Sequence, residues 1–416
     1  MRTSRNERYL QLGLIILLGL IILVGLTWVN LTFSKGNPGG NDFLVHYIGA
    51  RSLIFDGLSP YSDEVAVRIQ TAAYGHPAQG IEHELRVAYP LYSVILFAPF
   101  SVISDYNIAR AIWMTCLEIA LIVMGFLSMN LIEWKPSLWI QGLILLFSVI
   151  WYHAIRALIN GNAVILIALA IVAILYSIKK GHDKLAGILL AAVTFKPHIV
   201  ILFVFIVLVW SVYKEKWLLL QWFVGTLFGL VGVSVLVIPD WIIQNIQEVL
   251  RYPGYNPAGT LAAALSELAP ALGEEIKWVI AIVLGMILIY EWWRGRKGDF
   301  VRLIWISFLT LVISQWIGIQ TDPGNFIILF PALILILSVW DKRWSEHGAM
   351  ITSVSLTILF FGLWLIFLLT IQRSYQPVQN PIMFIPLPAI LLVNLYWIKW
   401  WVNSPARTLW IENNEG

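Results

Sequence analysis

The sequence predicts an all-α polytopic membrane protein, one bundle over residues 1–416 with about twelve transmembrane segments. Three observations predict it. Of the 416 residues, 59% are hydrophobic and 12% charged, about half the charged share of a soluble domain. The apolar residues come in long runs rather than on one face of each helix, and the charges gather between the runs. Tryptophan and tyrosine often stand near the ends of those runs, as Trp28, Trp134, Trp151, Trp217 and Trp340 do, where an interfacial aromatic belt requires them.

Taken in order, residues 10–30 form the first span behind the basic Arg2, Arg5 and Arg8. The run is too long for an ordinary signal-peptide core, and no small-residue cleavage site follows. Residues 37–87 are an external loop holding six acids (Asp42, Asp56, Asp63, Glu64, Glu82, Glu84) against three arginines. Inside it, Val45 to Phe55 reads as a short helix stopped by Gly57, and Ser62 caps a second helix running to about Tyr74. Asp63 and Glu64 stand in the first turn of that second helix, where the dipole favours acids. Short helices of this kind lie on a membrane surface and roof a cavity.

The remaining bundle, 88–402, opens with a short run at 88–103 beginning Tyr89-Pro90. Spans follow at 107–129, 137–153, 162–178, 185–213 (broken at Lys196-Pro197), 217–238, 276–291, 302–319, 325–340, 349–371 and 382–402. Four basic clusters mark the cytoplasmic side: Lys179/Lys180/Lys184, Lys214/Lys216, Arg294/Arg296/Lys297/Arg302 and Lys342/Arg343. Both termini are then cytoplasmic and the acidic loop is outside. Because Lys184 and Lys214 flank 185–213 on one side, that run must fold back at Lys196-Pro197, where proline removes a backbone donor. The same counting requires that 88–103 stop short of a full crossing or that one cluster break the rule.

Composition also excludes function classes. The net charge is +3 with no basic tract, so no nucleic-acid partner is expected. The single cysteine, Cys116, forms no intramolecular disulfide. His46, His76, His83 and His198 match no metal-ligand spacing, so no metal site is expected.

A few polar residues stand where chemistry is plausible. Asp42, on the glycine-flanked stretch after the first span, is placed to take a proton from an acceptor hydroxyl; local sequence alone favours an Asx-turn or helix N-cap. Lys196 sits mid-run, where a charge costs about 2.5–3.5 kcal/mol. Its counter-charge is either an anionic lipid phosphate or a structural partner such as Glu118. Arg51 is a further cation facing the cavity or a snorkelling surface residue. Arg156 precedes the Asn160-Gly161-Asn162 turn, whose amides either bind sugar hydroxyls or simply join two helices. Asp322, in the late outer turn Gln320–Asn325, reaches substrate or serves only the turn.

In their order along the chain these features resemble glycosyltransferase family 87 of the GT-C superfamily of integral membrane enzymes. The matching stretches are Asn41 to Arg51 with Gly57 and Pro60-Tyr61, then Ala88-Tyr89-Pro90-Leu91-Tyr92 with Phe97-Ala98-Pro99, then Asn160-Gly161-Asn162, then Thr194-Phe195-Lys196-Pro197. The sequence departs from the family where Asn160-Gly161-Asn162-Ala163 lacks the glutamine of a Gly-Gln-x-Asn turn, and where Leu91 replaces the second proline of Tyr-Pro-Pro. The resemblance implies a GT-C type bundle. It also implies transfer of a sugar, a hexose such as mannose, from a polyprenyl-phosphate donor to a hydroxyl of a lipid or glycan acceptor outside the cell membrane. Asp42 is then the general base of an inverting reaction. Lys196, Arg51, Arg156 and His198 are candidates for the donor phosphate, and His46, Tyr61, Tyr89, Asn160, Asn162 and Asp322 for sugar and acceptor. No metal or other cofactor is required, because cations suffice to neutralise the leaving phosphate. Two other classes fit parts of the pattern. A lipid-linked saccharide flippase would explain the broken run, and a glycan ligase would use the outer segment 239–275.

Overall fold

A computed structural model describes residues 5–80, 82–255, 261–270, 273–317, 322–344, 346–371 and 379–403. Arg2 of the basic N-terminus, Gln320 and Thr321 of the late outer turn, and the C-terminal residues 404–416 lie outside the described residues. Among those described the secondary structure is helical, with no strand. Seven helices are long and apolar enough to cross a membrane, or eight if one bent pair counts as a single span.

The chain begins with α1 (Arg5–Gly36), whose apolar surface is almost wholly exposed, as a lipid-facing helix requires. The loop after it carries α2 (Asn41–Asp56) and α3 (Asp63–Tyr74). Gly57 ends α2 in the left-handed region, and the Ser62 hydroxyl accepts from Val65 N at the start of α3. The run 88–103 becomes a 3₁₀ turn (Leu91–Ser93) and α4 (Val94–Ser101). Eight residues reach only about 12 Å, so α4 does not cross. α5 (Tyr106–Leu131) then starts beside the end of α1, where the Tyr106 hydroxyl donates to Gly39 O at 2.8 Å.

The predicted single helix at 137–153 is instead α6 (Leu138–Ile150) and α7 (Tyr152–Asn160), bent by 46°. Trp151 adopts an extended backbone at the break. α8 (Val164–Lys179) and α9 (Asp183–Ala192) follow, then a 3₁₀ turn over Val193–Phe195, Lys196 outside any helix, and α10 (Pro197–Tyr213). Lys216, just beyond α10, pairs with Asp183 at the start of α9 at 3.1 Å, so the chain has returned to its starting end. The run folds back at Lys196. Proline at the first position of α10 has no N–H to lose there.

α11 (Trp217–Val237) is followed by the amphipathic α12 (Trp241–Tyr255) and α13 (Leu261–Leu268). The bundle closes with α14 (Gly273–Gly295), α15 (Phe300–Ile317), α16 (Phe330–Arg343), α17 (Gly348–Thr370), α18 (Pro386–Trp397) and the short α19 (Lys399–Asn403). α15 and α16 are enclosed by other helices, whereas α11, α14 and α17 show most of their apolar surface outward. Both kinds are apolar all round. In water the second kind would be untenable; in lipid it is the expected outer wall.

The four basic clusters meet at one end. Lys179 pairs with Glu133 at 3.0 Å, Trp134 donates to Asp341 next to Lys342, and Trp210 donates to Gly298 O within the loop holding Arg296 and Lys297. The loop carrying Asp42 lies at the other end, with the Lys196 turn.

Candidate active site

At that second end a cavity of about 340 Å³ opens, within the range of roughly 300–1,000 Å³ usual for small-molecule sites. Its floor is made of helix beginnings. The N-termini of α2, α8 and α10 and of the 3₁₀ turn Pro323–Leu329 bring Asp42, Asn162, His198 and Asn325 to its wall. Four positive helix ends around one space favour an anion.

Two glycines set this geometry. Gly40 precedes α2 at φ +78, where a Cβ would meet Arg110 Nε at 2.6 Å and the Tyr106 hydroxyl at 2.9 Å. Gly161 joins α7 to α8 at φ +67, and a Cβ there would meet Phe43 Cβ at 2.6 Å. Each lets the backbone turn left-handed and lie close to its neighbour. Trp113 Nε1 donates to Gly161 O at 2.8 Å and fixes the second turn.

Asp42 is the second residue of α2, not its cap; the cap position is Gly40, and no side chain caps this helix. The local reading of Asp42 as an N-cap is therefore corrected. The carboxylate lines the cavity and is otherwise enclosed by protein. α2 lies outside the candidate spans. Burial pushes the Asp42 carboxyl from 3.8 to about 6; Lys196 and Arg156 and a hydrogen bond from Asn162 pull it down, and Asp322 pushes it up. A carboxylate starved of water and held near neutrality is a competent general base.

Lys196 is 4% exposed. Its ammonium donates to Asn162 Oδ1 at 2.9 Å and Asn325 Oδ1 at 3.0 Å, and it lies 5.5 Å from the centre of the Tyr89 ring. Glu118, the suggested structural partner, instead accepts from Asn30 at 2.9 Å on the α1–α5 face. Arg156 pairs with Asp322 at 3.1 Å, and Gln379, in the orientation its neighbours require, accepts from Arg156 Nη2 at 3.0 Å. Asp322 also caps the 3₁₀ turn through Gly324 N. Of the two carboxylates in the cavity, Asp322 is spent on a cation and a cap.

His46 stacks against Phe97 and tilts onto Tyr89, with ring centres 4.6 and 4.1 Å away. Burial and Lys196 push it down to about 3, so it presents a neutral imidazole to the cavity. Tyr89, Asn160 and His198 complete the part of the lining foreseen from sequence.

Two candidates do not belong. Arg51 donates to Ser101 O at 2.8 Å and lies 4.8 Å from the Phe55 ring centre, away from the cavity. Nine residues along a helix is about two and a half turns, so it points opposite to Asp42. Tyr61 is buried among Val65, Ile69 and Leu85, and its hydroxyl donates to Tyr89 O at 2.7 Å. It supports the wall without lining it.

Other residues also line the cavity. Asn325 lies in the predicted outer turn, but nothing local distinguishes it. Asn245, Val249 and Tyr252 come from α12, which is held over the site by buried Glu248. Arg86 Nε donates to Glu248 at 2.7 Å, and Arg86 Nη2 to Asp63 at 2.7 Å. The sequence points to this stretch, and to Tyr252 in it, only through the ligase alternative, which would use 239–275.

Compared with known proteins, the chain matches the family model described as glycosyltransferase family 87 over residues 88–314, just over half its length. That span holds Tyr89, Arg156, Asn162 and Lys196; Asp42 lies upstream of it and Asp322 downstream. No curated protein and no solved structure matches.

Proposed function

The chain belongs to glycosyltransferase family 87, and from that premise we propose that this membrane glycosyltransferase transfers a hexose, such as mannose, from a polyprenyl-phosphate donor. The observation that carries this reading is one cavity in which a partly desolvated carboxylate faces a buried ammonium without being paired to it. The acceptor is a hydroxyl of a lipid or glycan. Its oxygen attacks the anomeric carbon, the sugar–phosphate bond breaks with its electron pair going to the phosphate, and Asp42 takes the hydroxyl proton. Attack opposite the leaving group inverts the anomeric centre.

Lys196, Arg156 and the converging helix N-termini suit the phosphate, whose charge grows as it leaves. They supply the neutralisation themselves, so the reading invokes no metal. His198, beside Lys196 at the start of α10, lies near enough to join them. His46, Tyr89 and Asn160 offer the stacking faces and hydrogen-bonding groups a sugar and its acceptor need, beside Asn162 and Asp322, whose oxygens are engaged within the protein. The extracytoplasmic face is proposed because the basic clusters gather at the opposite end.

The test is transfer of labelled mannose from synthetic polyprenyl-phosphate mannose in reconstituted membranes. Asp42→Asn should fold normally and lose transfer; full activity in this variant would refute the base assignment. Movement of the lipid across the bilayer with no consumption of any polyprenyl-phosphate sugar would favour the flippase alternative.

A further inference from the structure

We propose that Asn162 is a positioning residue, an amide spacer that keeps the Lys196 ammonium off the Asp42 carboxylate so that each charge stays available to substrate. The inference rests on the proposed function and adds a role for a residue that does no chemistry itself.

The Asn162 oxygen is fully subscribed. A side-chain amide has two acceptor lone pairs and two donor hydrogens. Asn162 Oδ1 accepts from Lys196 Nζ at 2.9 Å and from Val164 N at 3.0 Å. Asn162 Nδ2 is 3.5 Å from Asn325 Oδ1, and Asn162 lines the same cavity as Asp42. Flipping the amide would set NH₂ against an ammonium and a backbone N–H, and oxygen against the Asn325 oxygen. Only one orientation is possible, and it puts the oxygen toward the cation.

Asn325 completes the arrangement. Its Oδ1 takes a second ammonium hydrogen at 3.0 Å, and the side chain is 1% exposed. Two of the three hydrogens on Lys196 Nζ are thus held by neutral oxygens. The charge is solvated without a carboxylate, and the third hydrogen remains for an anion in the cavity. A direct Lys196–Asp42 ion pair would use both charges on each other and leave a weak base beside a neutralised cation. The other groups acting on Asp42 are Arg156, Asp322 and Tyr89, with the neutral His46 on the same helix and His198 on the same wall. None of them separates it from Lys196.

The role makes a prediction with opposite signs for two explanations. If Asn162 only donates a hydrogen bond to Asp42, its loss raises the Asp42 midpoint. If it is a spacer, its loss lets the ammonium close on Asp42, and an opposite charge within about 4–6 Å lowers a carboxyl by about 1–3 units. The protonation of Asp42 is read without substrate, as the infrared carboxyl band that disappears in Asp42→Asn, on the full-length protein in lipid nanodiscs. Asn162→Ala should lower the midpoint by about one unit or more, and adding Lys196→Met should restore it. Asn325→Ala, which removes the second oxygen, should lower it less and serves if Asn162→Ala does not fold. A midpoint that stays or rises in Asn162→Ala, or fails to rise again in the double variant, overturns the spacer. Where only Asn325→Ala folds, an unmoved midpoint overturns it. Transfer assays on the same variants keep the two readings apart. Wild-type transfer by Asp42→Asn would remove the base assignment while leaving the titration test intact.

Discussion

Two buried charge clusters sit at opposite ends of the bundle and treat their charges differently. At the basic end Glu291, 2% exposed, receives Lys399 at 2.5 Å, Arg302 at 3.4 Å and the Tyr396 hydroxyl at 3.3 Å. It joins α14, α15, α18 and α19, and its charge is fully met by protein cations. At the cavity end Lys196 is just as buried, yet its hydrogen bonds go to two neutral amides, and Asp42 faces open space. The difference separates a structural ion cluster from a site. A buried charge neutralised within the fold has nothing left to offer a ligand, whereas one solvated by neutral dipoles does.

That contrast can be broken from either end. The largest effect is expected for Asp42→Asn, with transfer falling by about 10²–10⁴-fold while the protein stays folded. A retained rate would place the base elsewhere. Lys196→Met should come next, slowing transfer by about 10²–10³-fold with a loss of stability of about 1–3 kcal/mol from the buried Asn162 and Asn325 oxygens that lose the ammonium as donor. Glu291→Gln should do the reverse: destabilisation of about 3–5 kcal/mol, from two cations left without their partner, read by thermal unfolding in detergent. The turnover of the molecules that remain folded should be unchanged; a specific loss of turnover there would erase the distinction between the ends.

Smaller effects sharpen the picture. The rate–pH profile of transfer should rise through about pH 6, where Asp42 loses its proton; a flat profile there would count against this base. Because folding raises the Asp42 carboxyl from 3.8 to about 6, its contribution to stability is fully present below pH 3.8 and is lost as pH rises through 6. Asp42→Asn should therefore be more stable than the parent at neutral pH, on the order of 1–3 kcal/mol. A helix cap removed at the same position would give the opposite sign. Arg51→Ala, finally, should cost only about 1 kcal/mol for its bond to Ser101 and leave transfer intact.

How much of this was legible depended on the kind of signal. The helices of the first loop announced themselves through Gly57, Ser62 and the acids after it, because caps are local chemistry. The fold-back at Lys196 followed from two loops of like charge, and the Asp183–Lys216 pair now carries it. The bend at Trp151 carried no proline or glycine and escaped notice. Arg51 was misplaced because nine steps of 100° put it on the far side of α2 from Asp42, and Tyr61 because, beyond the end of that helix, it packs into the loop's own core. Asn325 and Asn245 were not foreseen because only packing brings them to the cavity.

By itself the sequence determined the solvent, the class of fold and the end of the bundle at which chemistry is expected. Those follow from hydropathy, charge asymmetry and the cost of a lysine within an apolar run, all additive along the chain. Tertiary structure alone decided that Asp42 and Lys196 share one cavity without pairing. That depends on one amide, Asn162, held in a single orientation by Val164, Lys196 and Asn325, and such a coincidence in space leaves no local trace.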